Sequence, residues 1–85
     1  MKKFHNVQVM ETDDKYLYLS VDNQIYRVRW RECSPKLAKA TLQERNTIEI
    51  SPSGYGLHWR EIDEDLAIDP LLKIAERVAN VPAHA

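Results

Sequence analysis

The chain is predicted to be an α+β domain. An antiparallel sheet of four to five strands, formed by an N-terminal meander and a second hairpin, is joined by a short central helix and a C-terminal helix. Three observations predict this. Residues 16–30 alternate apolar and polar side chains around a two-residue turn, which is hairpin grammar. Ser34-Pro35 and Asp69-Pro70 each set a capping side chain before a proline, which marks a helix start. The 85 residues are 44% hydrophobic and carry no repeat, linker or low-complexity tract, which suits one small folded domain. That domain spans residues 1–85, with a core over about 4–80 and a frayed tail at 81–85.

Val7 and Val9 alternate with Asn6, Gln8 and Met10 as a first strand. Thr12-Asp13-Asp14 turns the chain into a second. Leu17, Leu19 and Val21 then alternate with Tyr16, Tyr18 and Ser20, and Tyr26, Val28 and Trp30 with Arg27 and Arg29. Asp22-Asn23 tolerates the positive φ of a tight hairpin turn. Pairing Val21 with Gln24 sets Leu19 against Tyr26 and Leu17 against Val28, so both apolar sets share a face. A one-residue slip would destroy that agreement. The other face carries Tyr18 opposite Arg27 and Tyr16 opposite Arg29.

Ser34 caps a short helix through Leu37, Ala38 and Ala40, and the capping box Thr41-Leu42-Gln43-Glu44 restarts the helical path until Asn46. Thr47–Ser51 reads as a strand with Ile48 and Ile50 inward, and Ser51-Pro52-Ser53-Gly54 is turn chemistry. Residues 55–59 return beside it, with Tyr55, Leu57 and Trp59 on the core face and Gly56 and His58 on the other. Asp69 caps the last helix, whose stripe is Leu71, Ile74, Ala75 and Val78, with Asn80 and Pro82 as its stop.

Composition excludes some classes. Twelve basic against 13 acidic residues give a net charge of −1, so no global field draws the chain to nucleic acid or membranes. No window reaches the ~20 apolar residues of a membrane span, and Met1-Lys2-Lys3 has no apolar run behind it, so it is not a signal peptide. The single cysteine, Cys33, permits no internal disulfide and fits a cytoplasmic setting. As a reactive thiol it lacks a motif link to a base, and a small half-buried side chain is the simpler reading.

The chemistry-bearing residues gather at 54–66. His58 with Asp63 and Asp65 offers legitimate metal ligands, but no second histidine or cysteine pair supports a site. Glu61, Asp63, Glu64, Asp65 and Asp69 could supply an acid and a base, but a domain this small leaves little room for a substrate between them. Gly54 and Gly56 are too isolated to cradle phosphate and serve a turn or bulge. The chain is therefore read as a non-enzyme without cofactor. His58, Glu61, Asp63, Glu64 and Asp65 become the candidate partner-binding surface, an acidic strip on a rigid strand that suits a basic partner. Tyr16, Tyr18, Arg27 and Arg29 form the secondary surface. Interleaved Tyr and Arg can stack bases and bind phosphates, or form an ordinary solvated face.

Residues 22–72 resemble a family of small bacterial domains of unknown function, numbered 2442. The resemblance rests on the turn at Asp22-Asn23, on Pro35-Lys36-Leu37-Ala38-Lys39-Ala40-Thr41 and on Glu44-Arg45. It rests further on Gly54-Tyr55-Gly56-Leu57-His58-Trp59, Asp63-Glu64-Asp65-Leu66 and Leu71-Leu72. Cys33-Ser34 stands where the family often has aromatic residues, and Arg60 where proline is frequent. The resemblance implies a stand-alone form of a domain otherwise joined to a helix-turn-helix. It also implies a partner encoded by a neighbouring gene, in an arrangement like a toxin–antitoxin pair. The expected function is a protein-interaction module, antitoxin-like within such a pair. The alternative is an accessory domain of a DNA-contacting regulator, although nucleic-acid binding by this chain alone is not expected.

Overall fold

The computed structural model describes residues 4–82. Strands β1 (Val7–Thr12), β2 (Tyr16–Val21) and β3 (Gln24–Arg29) form the meander. Three short helices follow: α1 (Trp30–Cys33), α2 (Pro35–Lys39) and α3 (Leu42–Asn46). Then come β4 (Ile48–Ile50), β5 (Gly56–Trp59), a 3-10 turn (Arg60–Ile62), β6 (Glu64–Ala67), α4 (Ile68–Ile74) and β7 (Glu76–Val78). The class is α+β. The strands lie in two sheets, ordered β1-β2-β3-β7 and β4-β5-β6, each antiparallel throughout.

The hairpin register is the expected one: Val21 pairs with Gln24, Leu19 with Tyr26, Leu17 with Val28, and Tyr16 with Arg29. Asp22 and Asn23 sit at φ 51° and 69°, as a type I′ turn requires. Leu17, Leu19, Val21, Val28 and Trp30 are buried and Tyr26 is half-buried. Ser34 caps α2 by accepting from the Leu37 N–H, and Thr41 with Glu44 closes the reciprocal capping box of α3.

The two sheets share one core. Leu37, Leu57, Trp59, Ile68 and Leu71 join the hairpin residues there. Trp30 and Trp59 meet edge to face, and each indole N–H is used: Trp30 Nε1 donates to the Asp13 carbonyl and Trp59 Nε1 to that of Arg45. Buried indoles need such partners.

Several expectations are corrected. Trp30 opens α1 rather than ending β3, although it is buried as expected. Tyr18 is buried, not part of an open face. It lies on the central strand β2, between Glu11 of β1 and Arg27 of β3, so neighbours cover it from both sides. Ile50 and Tyr55 are exposed. Ile50 ends a three-residue edge strand, and Tyr55 precedes β5 in the turn, where strand alternation does not apply. Met10, by contrast, is exposed as its alternation implies, and it sits at a bulge between Val9 and Glu11.

The last helix is shorter than its apolar stripe implied. It runs Ile68–Ile74, Ala67 rather than Asp69 is its N-cap, and Val78 belongs to β7. Residues 76–78 pair with β3, with Ile25 opposite Val78 and Arg27 opposite Glu76. Pairing satisfies the outer edge of β3, which continued helix would leave open. The acidic run occupies the 3-10 turn, the left-handed position at Asp63 and β6. The expected frayed tail lies, for residues 83–85, outside the described residues.

Candidate functional site

The candidate surface is the outer face of the small sheet. Its register places Glu49 opposite His58, His58 opposite Asp65, and Gly56 opposite Ala67. Directly opposed residues share a face, so these five lie together, while Leu57 and Trp59 point to the core. His58 Nδ1 donates to Asp65 Oδ1 at 2.7 Å. This bond fixes the ring, and among the described residues Nε2 has no partner. Glu49 Oε2 lies 3.5 Å from Arg60 Nη1.

Small side chains make this face concave. Gly56 and Ala67 floor an open groove of about 510 Å³, with Pro52 and Tyr55 on one side and Glu49, His58 and Asp65 on the other. A Cβ on Gly56 would come 2.8 Å from the Leu66 carbonyl oxygen, so glycine is required by close backbone approach. The turn that raises Tyr55 is built by Ser51, whose Oγ accepts from the N–H groups of Tyr55 and Gly56. The Phe4 ring stacks edge-on against Tyr55, 5.4 Å between centroids, and the Phe4 N–H donates to the Ser53 carbonyl.

The structure does not bring all the predicted residues together. His58 and Asp65 are paired on the groove. Glu61 sits on the 3-10 turn, 3.5 Å from the Thr47 hydroxyl. Asp63 occupies a left-handed turn position at φ 51°, and its carbonyl accepts from Lys36 Nζ. Glu64 pairs with Trp59 on the opposite face of β6, and its carboxylate accepts from the Asp65 N–H. Sequence reasoning missed Glu49, although its alternation with Ile48 and Ile50 already placed it on the face of His58. Among the described residues no group of three or more His, Cys, Asp or Glu is placed to hold a metal ion.

On the secondary surface, Arg27 Nε donates to Glu76 Oε1 at 2.8 Å, and its guanidinium lies 4.5 Å from the Tyr16 ring centre. The pair raises the Arg27 pKa and holds the Glu76 carboxyl below its usual range. Arg29 is exposed, 5.8 Å from the same ring. Burial, with a smaller contribution from Glu32, pushes the Cys33 thiol up to about 12.

His5 is a second residue the sequence did not single out. Its Nδ1 donates to Asp22 Oδ2 and its Nε2 to Asp69 Oδ1, both at 2.7 Å. Two carboxylates facing both ring nitrogens require the imidazolium. The Asp22 bond, then the Asp69 bond, raises the His5 pKa. The Asn6 N–H, then His5, lowers that of Asp22. His5 thus ties the hairpin turn to α4, next to the segment that supports Tyr55.

No helix among the described residues is long and apolar enough to cross a membrane. A family model described as "Protein of unknown function (DUF2442)" matches residues 7–77. No curated protein and no solved structure matches the chain.

Proposed function

We propose that this chain, which belongs to the DUF2442 family of proteins of unknown function, is a non-enzymatic protein-interaction module. Its docking face is the outer face of β4-β5-β6. The observation that carries this reading is the His58–Asp65 pair set on the wall of an apolar-floored groove. A groove with a small-residue floor admits an apolar side chain, and Tyr55 offers a large amphipathic wall. Glu49 and Asp65 put negative charge beside it, so the fitting partner segment carries an apolar side chain next to lysine or arginine. Glu61, Asp63 and Glu64 lie off this face and add to its field.

The family resemblance suggests the partner's source: a small protein encoded by the neighbouring gene, with this chain in the antitoxin-like role. The setting in this reading is the cytoplasm, consistent with the single cysteine. The alternative, DNA contact through Tyr16, Tyr18, Arg27 and Arg29, has less support, because Tyr18 is buried and Arg27 is engaged by Glu76.

The test is the variant Glu49→Gln/Asp65→Asn against the control Asp63→Asn. Both carboxylates of the double variant are exposed, so its thermal melt should match the wild type. Association with the neighbouring gene's product should slow in the double variant and change little in the control. Normal folding with unchanged association would overturn the reading.

A further inference from the structure

A second concave surface lies at the other end of the meander. Asp14, Lys15, Tyr16, Arg29, Trp30, Arg31 and Arg45 border a cleft of about 410 Å³, within the size range of small-ligand sites. Four cations border it against one carboxylate. Lys15, Arg29 and Arg31 are exposed, and among the described residues none of them reaches a carboxylate within ion-pair distance. Arg27 and Arg60 elsewhere do.

The frame of this cleft is fixed. Arg45 donates to the carbonyls of Leu37, Asp14 and Ala38 at 3.0–3.1 Å and lies over the Trp30 ring at 5.3 Å. Among the described residues its charge is held in place without a counter-ion. The Lys15 carbonyl accepts from the Trp30 N–H, and Asp13 Oδ1 accepts from the N–H groups of Lys15 and Tyr16. The turn carrying Lys15 is therefore locked against α1, which carries Arg31. A rigid, concave concentration of positive charge in a chain of net charge −1 focuses the field on one place.

We infer that this cleft binds a phosphate group, with Lys15, Arg29 and Arg31 contacting its oxygens and Arg45 supplying a fixed positive wall. Cations from three separate elements, β1–β2 turn, β3 and α1, suit a tetrahedral anion better than a planar carboxylate. Guanidinium groups recognise phosphate oxygens through paired donors. The phosphate can belong to a mononucleotide or to a polynucleotide backbone, and the half-buried Tyr16 also lines the cleft. This site is separate from the groove on the small sheet and does not depend on it.

The test is amide chemical-shift titration of the whole protein at low salt with AMP, adenosine, oligothymidylate and a glutamate-rich peptide. AMP should give saturable shifts at Lys15, Tyr16, Arg29 and Arg31, and adenosine should not. Tighter binding of oligothymidylate than of AMP assigns the phosphate to a polynucleotide, and the reverse order to a free ester. Arg29→Gln/Arg31→Gln should weaken the phosphate ligand roughly tenfold or more, with Lys15→Gln as a second variant should the first fold poorly. Three results would each overturn the site: no saturable shift with any phosphate ligand, equal binding of adenosine or of the acidic peptide, or unchanged affinity in a folded variant.

Discussion

Trp30 meets Trp59 edge to face, with 6.2 Å between ring centroids and 80° between planes. The first opens α1 directly after β3 of the large sheet, and the second ends β5 in the small one. This contact joins the two sheets, and both rings are almost fully buried.

Trp59→Ala should therefore cost about 3–5 kcal/mol, and Leu19→Ala in the meander about 2–5 kcal/mol. The whole domain is expected to hold only roughly 4–13 kcal/mol at typical stability per residue. Urea unfolding checks both. A loss under about 1 kcal/mol in Trp59→Ala would mean that the sheets do not depend on this contact.

Stability should depend on pH through His5. Its folded-state pKa is raised above 6.5 by Asp22 and Asp69. Its contribution is then fully present below about pH 6.5 and is lost as pH rises through the folded-state pKa. Asp22 has the opposite sign: its pKa is lowered, so its contribution is lost as pH falls through its folded-state value. The wild type should melt higher at mildly acidic pH than at mildly alkaline pH, and His5→Gln should flatten that difference. An unchanged slope in the variant contradicts the clamp.

Gly54 has φ +73°, and a Cβ there would lie 1.8 Å from the His5 carbonyl oxygen. The left-handed backbone alone costs a residue with a Cβ about 1–2 kcal/mol, and the overlap adds to it by pushing the N-terminal segment away. Gly54→Ala should lose more than that amount and also flatten the pH dependence due to His5. A destabilised variant that keeps the full dependence would separate the two features.

The Cys33 thiol, pushed up to about 12 by burial, should alkylate slowly at pH 8 in the folded protein and rapidly once unfolded. Rates measured with iodoacetamide, with and without denaturant, check this. Equal rates would show an open thiol.

Much of the fold was legible because its signals are local. The β2–β3 register follows from alternation around Asp22-Asn23, and the α2 and α3 starts follow from the Ser34 and Thr41 side chains. What failed depended on distant partners. Residues 75–78 continue a helical stripe, yet the open edge of β3 recruits 76–78 as a strand. Tyr18 alternates as an outer residue, yet central placement buries it. The candidate site was half legible: alternation put His58 on the outer face, but β6, and with it the His58–Asp65 pair, follows from a left-handed turn at Asp63 that no glycine marked. His5 gave no signal, because its two partners lie 17 and 64 residues away.

The central claim is that the outer face of β4-β5-β6 receives a partner. Hydrogen exchange of the chain, alone and mixed with the product of the neighbouring gene, tests it most directly. Protection should appear over residues 49–58 and 64–67, with β2 and β3 unchanged. Protection confined to residues 14–31, with the small sheet exchanging as in the free protein, would contradict it.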